Sequence, residues 1–120
     1  MNIIMVDDSE NILEINKLIL EKMMPDWSVV TTSNGYMALE IIKNKKFDIM
    51  ITDLEMPIMS GLRLIAYLRS FSDIPVILYS SVADEVDSRV LESLCITKAI
   101  CKPCCCKLLA TEIKNAVEKR

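Results

Sequence analysis

The chain has 120 residues, 52% of them hydrophobic and only 5% aromatic, which predicts one domain with an aliphatic core. Its net charge is −3, and no block of lysine and arginine is long enough for a nucleic-acid interface, so no direct nucleic-acid partner is expected. The absence of histidine excludes a phosphohistidine, a Ser-His-Asp or Cys-His nucleophile pair and a histidine-ligated zinc ion within this chain.

The sequence also lacks the signals of a membrane or exported protein. No apolar run approaches the roughly 18 residues of a transmembrane helix. The N-terminus lacks the basic region and cleavage site of a signal peptide. A cytoplasmic protein without a membrane partner is therefore expected, and its five cysteines should be reduced there.

Short apolar runs alternate with longer segments of helical period, a pattern typical of parallel α/β proteins. The first predicted strand covers residues 3–6, and Ser9 or Asp8 can cap the helix that follows. The apolar face of this helix is expected to include Ile12, Ile15, Ile19 and Met23. A second strand at residues 28–31 leads to a helix that Asn34 caps.

The third predicted strand covers residues 48–52, and the helix after it starts at Ser60-Gly61, where the glycine is expected to permit a backbone turn. The fourth strand covers residues 76–79 and precedes a helix from about Asp84 to Leu94. The fifth strand covers residues 99–101, and the last helix begins near residues 104–106. The strands are continuous apolar runs, as expected when helices cover both faces of the sheet. Five strand–helix units with right-handed crossovers predict a three-layer α/β/α sandwich.

Charged or hydroxyl-bearing residues, suited to binding a metal ion and a phosphoryl group, follow four of these strands. They are Asp7, Asp8, Asp53, Ser80 and Lys102. In an open parallel sheet, ligands bind outside the carboxyl ends of the strands, so these side chains should converge. Crowded carboxylates stay ionised when a cation joins them, and Mg²⁺ accepts one or two carboxylates while keeping several waters. An aspartate between a metal and a lysine can act as a nucleophile and form an aspartyl phosphate.

With this set of residues, the chain resembles the receiver domain of two-component response regulators over essentially its whole length (1–120, one domain). The residues that carry the resemblance lie in segments 3–9, 33–39, 52–61, 75–81 and 101–103, with Asp-x-x-Met-Pro-x-x-x-Gly at 53–61. The resemblance implies a flavodoxin-like, doubly wound fold with a five-stranded parallel sheet in the order 2-1-3-4-5.

The resemblance also implies a phosphoacceptor and a metal site. Asp53 would accept a phosphoryl group from a phosphohistidine on a partner. Asp8 would bind Mg²⁺ directly, together with Asp53, and Asp7 would help directly or through water. Glu55 would add a ligand through its backbone carbonyl, with its side chain at the rim of the pocket.

Two further side chains would contact the phosphoryl group in such a domain. Ser80 would donate a hydrogen bond, and Lys102 would pair with the group, held by a cis bond to Pro103. Ser81 and the backbone after Asp53 would offer N–H donors. Positioning and charge neutralisation would supply most of the catalysis.

The implied partners are a sensor histidine kinase or a histidine phosphotransfer protein as donor, and a downstream output domain or protein. Such a domain catalyses only its own phosphorylation and dephosphorylation, so we do not expect an enzyme that turns over a metabolite. Many receivers carry Tyr or Phe where this chain has Ala99, so the usual aromatic switch cannot operate here as described.

Several alternatives compete with these assignments. Lys98 competes with Lys102, and Ser81 competes with Ser80. A small Mg²⁺-dependent phosphatase similar to the haloacid dehalogenase family would also form an aspartyl phosphate, but it requires Asp-x-Asp where this chain has Asp53-Leu54-Glu55. A degenerate receiver that acts as a constitutive interaction domain is a third possibility, against which the complete set of polar residues argues.

The cysteines raise a separate hypothesis. Cys101-Lys102-Pro103-Cys104 has the Cys-x-Pro-Cys form of thioredoxin-like redox sites, and Cys105 and Cys106 follow at a helix N-terminus, where thiol pKa values fall. A thioredoxin-like motif should follow an early strand, however, and this one follows the last. Redox sensing or soft-metal binding is therefore a minor hypothesis.

Overall fold

The computed structural model describes residues 1–119; residue 120, the last of the predicted domain, lies outside the described part. Strands and helices alternate along the chain. The strands are β1 (Asn2–Val6), β2 (Ser28–Thr32), β3 (Ile49–Thr52), β4 (Val76–Ser80) and β5 (Lys98–Cys101). The α-helices are α1 (Glu10–Met23), α2 (Gly35–Asn44), α3 (Gly61–Leu68), α4 (Ser88–Ser93) and α5 (Cys106–Glu118).

The five strands form one parallel sheet in the order β2-β1-β3-β4-β5, as predicted. The chain first adds β2 on one side of β1 and then crosses to the other side to add β3. The point where the direction of winding reverses therefore lies between β1 and β3. In doubly wound folds, a crevice opens at this point beyond the carboxyl ends of the strands.

Side chains that alternate along the strands build two apolar cores, one on each face of the sheet. On one face, Ile3 and Met5 of β1 pack with residues of α1 and α5. On the other face, Ile4 and Val6 pack with residues of α2 and α3. The central strands β3 and β4 are buried at every position, which confirms that helices cover both faces.

The predicted apolar face of α1 is wrong. The helix buries Leu13, Asn16 and Leu20, while Ile15 is 56% exposed and Ile19 38%. Apolar residues occupy two faces of α1, so a period of 3.6 residues fits either face. The buried face contains a polar residue, Asn16, whose amide oxygen lies 3.6 Å from the thiol of Cys106 on α5.

The predicted fourth helix is two elements. A short 3₁₀ turn covers Ala83–Glu85, and α4 begins only at Ser88. The extended backbone of Val86 interrupts the helix, and the side chain of Asp87 caps the next one by accepting a hydrogen bond from the N–H of Arg89. The predicted caps of α1 and α2 are confirmed at Ser9 and Asn34, and Ser60 caps α3 at its predicted start.

The edge strand β2 is protected by α1. The outer N–H of Val29 donates to the Glu21 carboxylate at 2.8 Å, and the carbonyl of Val29 accepts from the Lys17 ammonium. Lys17 also pairs with Glu21 at 3.0 Å. These contacts satisfy backbone groups that an edge strand would otherwise offer to another strand. Within residues 1–119, every helix is too short or too polar to cross a bilayer.

Candidate functional site

Three carboxylates meet at the carboxyl ends of β1 and β3, which are neighbours in the sheet. Asp7 and Asp8 follow β1, and Asp53 follows β3. One oxygen from each carboxylate lies within 4.8 Å of the other two. Asp7 is 5% exposed, whereas Asp8 faces solvent. These three residues form what we call the acidic pocket.

One lysine enters the acidic pocket from the end of β5. The ammonium nitrogen of Lys102 lies 2.5 Å from Oδ2 of Asp7 and 3.0 Å from Oδ2 of Asp53. The competing lysine, Lys98, instead lies 3.9 Å from Glu112 on α5. Of the two candidate lysines, Lys102 is therefore the one that contacts the acidic pocket.

Burial and charge shift two pKa values in the pocket. Burial raises the pKa of Asp7, with a further push from the charge of Asp53, and the contact with Lys102 only partly opposes this. Burial disfavours the charged form of Lys102, but its contacts with Asp7 and Asp53 outweigh that effect and raise its pKa. With all three carboxylates ionised, the pocket carries two more negative than positive charges, which one divalent cation would balance.

The acceptor loop holds Asp53 by its backbone and its side chain. The N–H of Asp53 donates to the carbonyl of Val6 at 2.9 Å, and the N–H of Leu54 donates to Oδ1 of Asp53 at 2.7 Å. The hydroxyl of Thr52 donates to the carbonyl of Asp53 at 2.9 Å. A buried strand end thus fixes the direction of this carboxylate.

The backbone of Asp53 lies so close to Gly61 that a side chain does not fit there. The prediction that the glycine permits a backbone turn is wrong. Gly61 has no positive φ, but a Cβ built on it would lie 2.0 Å from the carbonyl oxygen of Asp53. Its N–H donates to the carbonyl of Leu54 at 2.8 Å. The start of α3 therefore packs directly against the backbone of the acceptor loop, and any side chain at this position would push the loop away.

Ser80 ends β4 beside this site. It is 1% exposed, its hydroxyl accepts a hydrogen bond from the N–H of Val82 at 3.3 Å, and its carbonyl accepts from the N–H of Lys102 at 3.0 Å. Its neighbour Ser81 is exposed. The chain thus places Ser80 next to the lysine and leaves Ser81 at the surface.

Glu55 differs from the three aspartates. Its side chain is exposed and lines a shallow cavity together with Asp8 and Pro57, so its carboxylate sits at the rim of the acidic pocket. It does not belong to the group of three close carboxylates. The ligand role of its backbone carbonyl stays a prediction.

The β5–α5 connection confirms one expectation about its backbone and contradicts one about its thiols. The Lys102–Pro103 peptide bond is cis, as expected. The five cysteines are free thiols. The expected fall in thiol pKa at the start of α5 is wrong for Cys106, because burial raises its pKa. A raised pKa leaves the partly buried Cys106 thiol protonated and a poor nucleophile, which weakens the redox hypothesis at this residue.

Sequence reasoning missed one residue at the site, Tyr79 on β4. Its ring centroid lies 5.5 Å from the ammonium of Lys102, and its hydroxyl accepts a hydrogen bond from the N–H of Cys104 at 3.2 Å. The available signal was an aromatic residue placed directly before Ser80 in an otherwise aliphatic strand.

The fold and the acidic pocket together define a class of protein. A model of the response regulator receiver domain matches residues 3–114, and the chain belongs to this family, which serves two-component signalling systems. Receiver domains pair with histidine kinases in these systems.

Two curated relatives are longer than this chain and match it over one part of their length. Response regulator RR06 of Streptococcus pneumoniae is 30% identical over 120 residues, which cover 99% of this chain and 54% of that protein. The two-component response regulator ARR10 of Arabidopsis thaliana is 34% identical over 86 residues, 70% of this chain and 15% of that protein. The chain thus spans about half of one relative's length and far less of the other's.

Solved structures share the fold over nearly the whole chain. A receiver domain protein from Clostridium thermocellum superposes with a TM-score of 0.87 at 25% identity, covering 98% of this chain and 94% of that chain. The response regulator TrrA of Thermotoga maritima, solved in complex with Mg²⁺ and BeF, gives a TM-score of 0.83 at 26% identity, covering 96% and 97%.

Proposed function

We propose that this chain accepts a phosphoryl group on Asp53 from a phosphohistidine of a partner protein, in a Mg²⁺-dependent reaction that switches a protein-interaction surface. A carboxylate oxygen of Asp53 attacks phosphorus, and an acyl phosphate bond forms. The bond between phosphorus and the imidazole nitrogen breaks, and its electron pair stays on the imidazole, which takes up a proton from solvent. The donor lies outside these 120 residues, because they contain no histidine.

The observation that carries the proposal is the position of Lys102 between Asp7 and Asp53. An ammonium that bridges two carboxylates at the carboxyl ends of the strands costs free energy, because burial penalises each charge. The arrangement becomes useful when a phosphoryl group arrives on Asp53, since Lys102 can then pair with its oxygens.

The acidic pocket has the donor set of a Mg²⁺ site. Asp7, Asp8 and Asp53 supply hard carboxylate oxygens, which Mg²⁺ prefers, and their excess negative charge matches one divalent cation. The backbone carbonyl of Glu55 would add a further ligand. When bound, Mg²⁺ would neutralise the charge of the phosphoryl oxygens during transfer.

Hydrogen-bond donors near Asp53 would complete the site. Ser80 would donate its hydroxyl to the phosphoryl group, and the backbone N–H groups of Leu54 and Ser81 would serve as further donors. Because Leu54 already donates to the Asp53 carboxylate, little reorganisation is needed before transfer.

An exposed apolar strip on α1 supports docking of a helical phosphodonor. The strip consists of Ile15, Leu18, Ile19 and Met23, with Leu18 68% exposed. The helix starts two residues after Asp8, so a partner seated on the strip would lie beside the acidic pocket. Exposed apolar surface of this kind marks interaction sites, and a sensor histidine kinase or a histidine phosphotransfer protein is the partner that the chemistry requires.

The same proposal covers the cellular setting and the output. The domain would act in the cytoplasm, signal to a downstream output domain or protein, and catalyse only its own phosphorylation and dephosphorylation. It would not bind nucleic acid directly, because its net charge is −3.

The test is the intact mass of the protein after incubation with acetyl phosphate, with Mg²⁺ and with EDTA, beside Asp53→Ala. We expect one phosphoryl adduct with Mg²⁺, and none with EDTA or in the variant. Absence of an adduct in the wild type, while a known receiver reacts, would favour a constitutive interaction domain. Repeated turnover of p-nitrophenyl phosphate would instead favour the phosphatase alternative.

A further inference from the structure

Tyr79 is the aromatic residue next to the acidic pocket, and none of the roles above uses it. It lies on β4, directly before Ser80, and is 6% exposed. Its side chain packs in the apolar core between the sheet and the helices α1 and α5. A phenol in such a core needs a hydrogen-bond partner, so its position is constrained at both the ring and the hydroxyl.

The ring of Tyr79 contacts the charged end of Lys102. The ammonium lies 5.5 Å from the ring centroid, within the range of a cation–π interaction. The same ammonium donates to Asp7 and Asp53, so three groups hold it. A flexible lysine side chain loses most of its freedom in such a setting, which places its charge in advance of the reaction.

The hydroxyl of Tyr79 holds the backbone that carries this lysine. The N–H of Cys104, two residues after Lys102, donates to the phenol oxygen at 3.2 Å. On the preceding side, the N–H of Lys102 donates to the carbonyl of Ser80 at 3.0 Å. The lysine is therefore anchored to β4 both at its own backbone and just beyond it.

Within residues 1–119, the ring over the Lys102 ammonium is that of Tyr79, and the opposite face of the sheet adds no second ring there. Ala99 on β5 packs toward the other apolar core, and its methyl group has no π face for an ammonium. Tyr79 thus supplies an aromatic contact to the pocket from the α1 and α5 side.

We propose that Tyr79 is a positioning residue that sets the place of the Lys102 ammonium for phosphoryl transfer. This inference rests on the function proposed above. Because Tyr79 contacts the Lys102 ammonium and the backbone of Cys104 at this site, its loss should slow transfer without weakening Mg²⁺ binding.

The first test measures the initial rate of adduct formation with acetyl phosphate at several Mg²⁺ concentrations. Tyr79→Phe removes only the hydroxyl and should lower the maximal rate about fivefold. Tyr79→Leu removes the ring as well and should lower it about 20-fold. Both should leave the half-saturating Mg²⁺ concentration unchanged. A general loosening of the pocket would shift the rate and the Mg²⁺ dependence together and would overturn the proposal.

The second test is a double-mutant cycle with Lys102→Met. If Tyr79 acts through the lysine, Tyr79→Phe should have no further effect on the rate once Lys102 is replaced. An equal factor in both backgrounds would contradict the proposal. Tyr67→Phe, the same change at an exposed tyrosine on α3, is the matched control and should not alter the rate.

Folding is checked by thermal unfolding of each variant, and Tyr79→Phe carries the test if Tyr79→Leu does not fold. A wild-type protein that forms no adduct would contradict the proposed function itself. A wild-type protein that reacts, beside a Tyr79→Phe variant of equal rate, would contradict only the positioning role.

Discussion

Two lysines of this protein each bridge two acceptors, with opposite consequences. Lys17 at the edge of the sheet contacts Glu21 and the carbonyl of Val29, and its side chain is 42% exposed. Lys102 contacts Asp7 and Asp53, and its side chain is 15% exposed.

The difference between the two sites lies in charge balance and burial. At the edge strand, one lysine faces one carboxylate, in water, and the contacts complete the hydrogen bonding of a strand. In the acidic pocket, one lysine faces three carboxylates, two of them largely buried. A balanced, exposed arrangement serves the fold, whereas an unbalanced, buried one is costly, which supports the proposal that a divalent cation binds at the acidic pocket.

Replacing Lys102 should give the largest effect. Lys102→Met removes the only cation that the structure places among these carboxylates within residues 1–119, and the phosphorylation rate should fall about 100-fold. The rate is measured by intact mass with acetyl phosphate and Mg²⁺. Lys98→Met, at the start of β5, is the matched control, and a similar loss of rate there would mean that the assignment of the lysine is wrong.

Removing one proposed Mg²⁺ ligand should give the second-largest effect. Asp8→Asn should weaken Mg²⁺ binding by at least about tenfold, since even the loss of an outer partner of a metal site costs this much. In the wild type, Mg²⁺ at about 100 times its Kd should add about 2.7 kcal/mol to the free energy of unfolding.

Chemical denaturation with and without Mg²⁺ measures the gain in the free energy of unfolding for the wild type and for Asp8→Asn. Glu55→Gln is the control, because its exposed side chain at the rim does not belong to the group of three close carboxylates. An equal gain from Mg²⁺ in Asp8→Asn and in the wild type would contradict the metal site.

Ser80 at the end of β4 and Ser81 after it give a second contrast between a buried and an exposed side chain. Ser80→Ala should lower the phosphorylation rate about tenfold, because a hydrogen bond to a charged group is lost. Ser81→Ala should leave the rate unchanged, since its side chain faces solvent and only its backbone is expected to contribute. Rates measured side by side by intact mass decide between them, and a larger loss in Ser81→Ala would reverse the assignment.

The edge-strand contacts should give the smallest effect, on stability alone. The N–H of Val29 and then Lys17 lower the pKa of Glu21. A lowered pKa means that this stabilisation is present above the ordinary pKa of 4.5 and is lost as the pH falls through the folded value.

Glu21→Gln should therefore cost less than about 1 kcal/mol at neutral pH and remove that pH dependence. Urea denaturation at neutral and acidic pH measures it, with Glu14→Gln on the same helix as control. The phosphorylation rate should not change, and a loss of rate would show that the edge and the pocket are linked.

The sequence predicted the sheet and the convergence of side chains at the acidic pocket for one physical reason. The buried strands are continuous apolar runs, and Asp7, Asp53 and Lys102 come directly after them. Once strands are parallel, their ends meet, so the residues that follow them converge without any knowledge of side-chain packing.

The features that the sequence did not predict depend on contacts between distant segments. The face of α1 could not be chosen because both faces are apolar, and the buried one includes Asn16. The need for Gly61 arises from the carbonyl of Asp53, and the role of Tyr79 arises from the backbone of Cys104. Such contacts exist only after the loops have folded onto the strand ends.

The most direct test of the central claim is the location of the phosphoryl group. After reaction with acetyl phosphate and Mg²⁺, borohydride reduces an aspartyl phosphate to homoserine, and peptide mapping identifies the reduced residue. We expect reduction at Asp53 alone. Reduction at Asp7 or Asp8, or a phosphoryl group found on a cysteine, would contradict it.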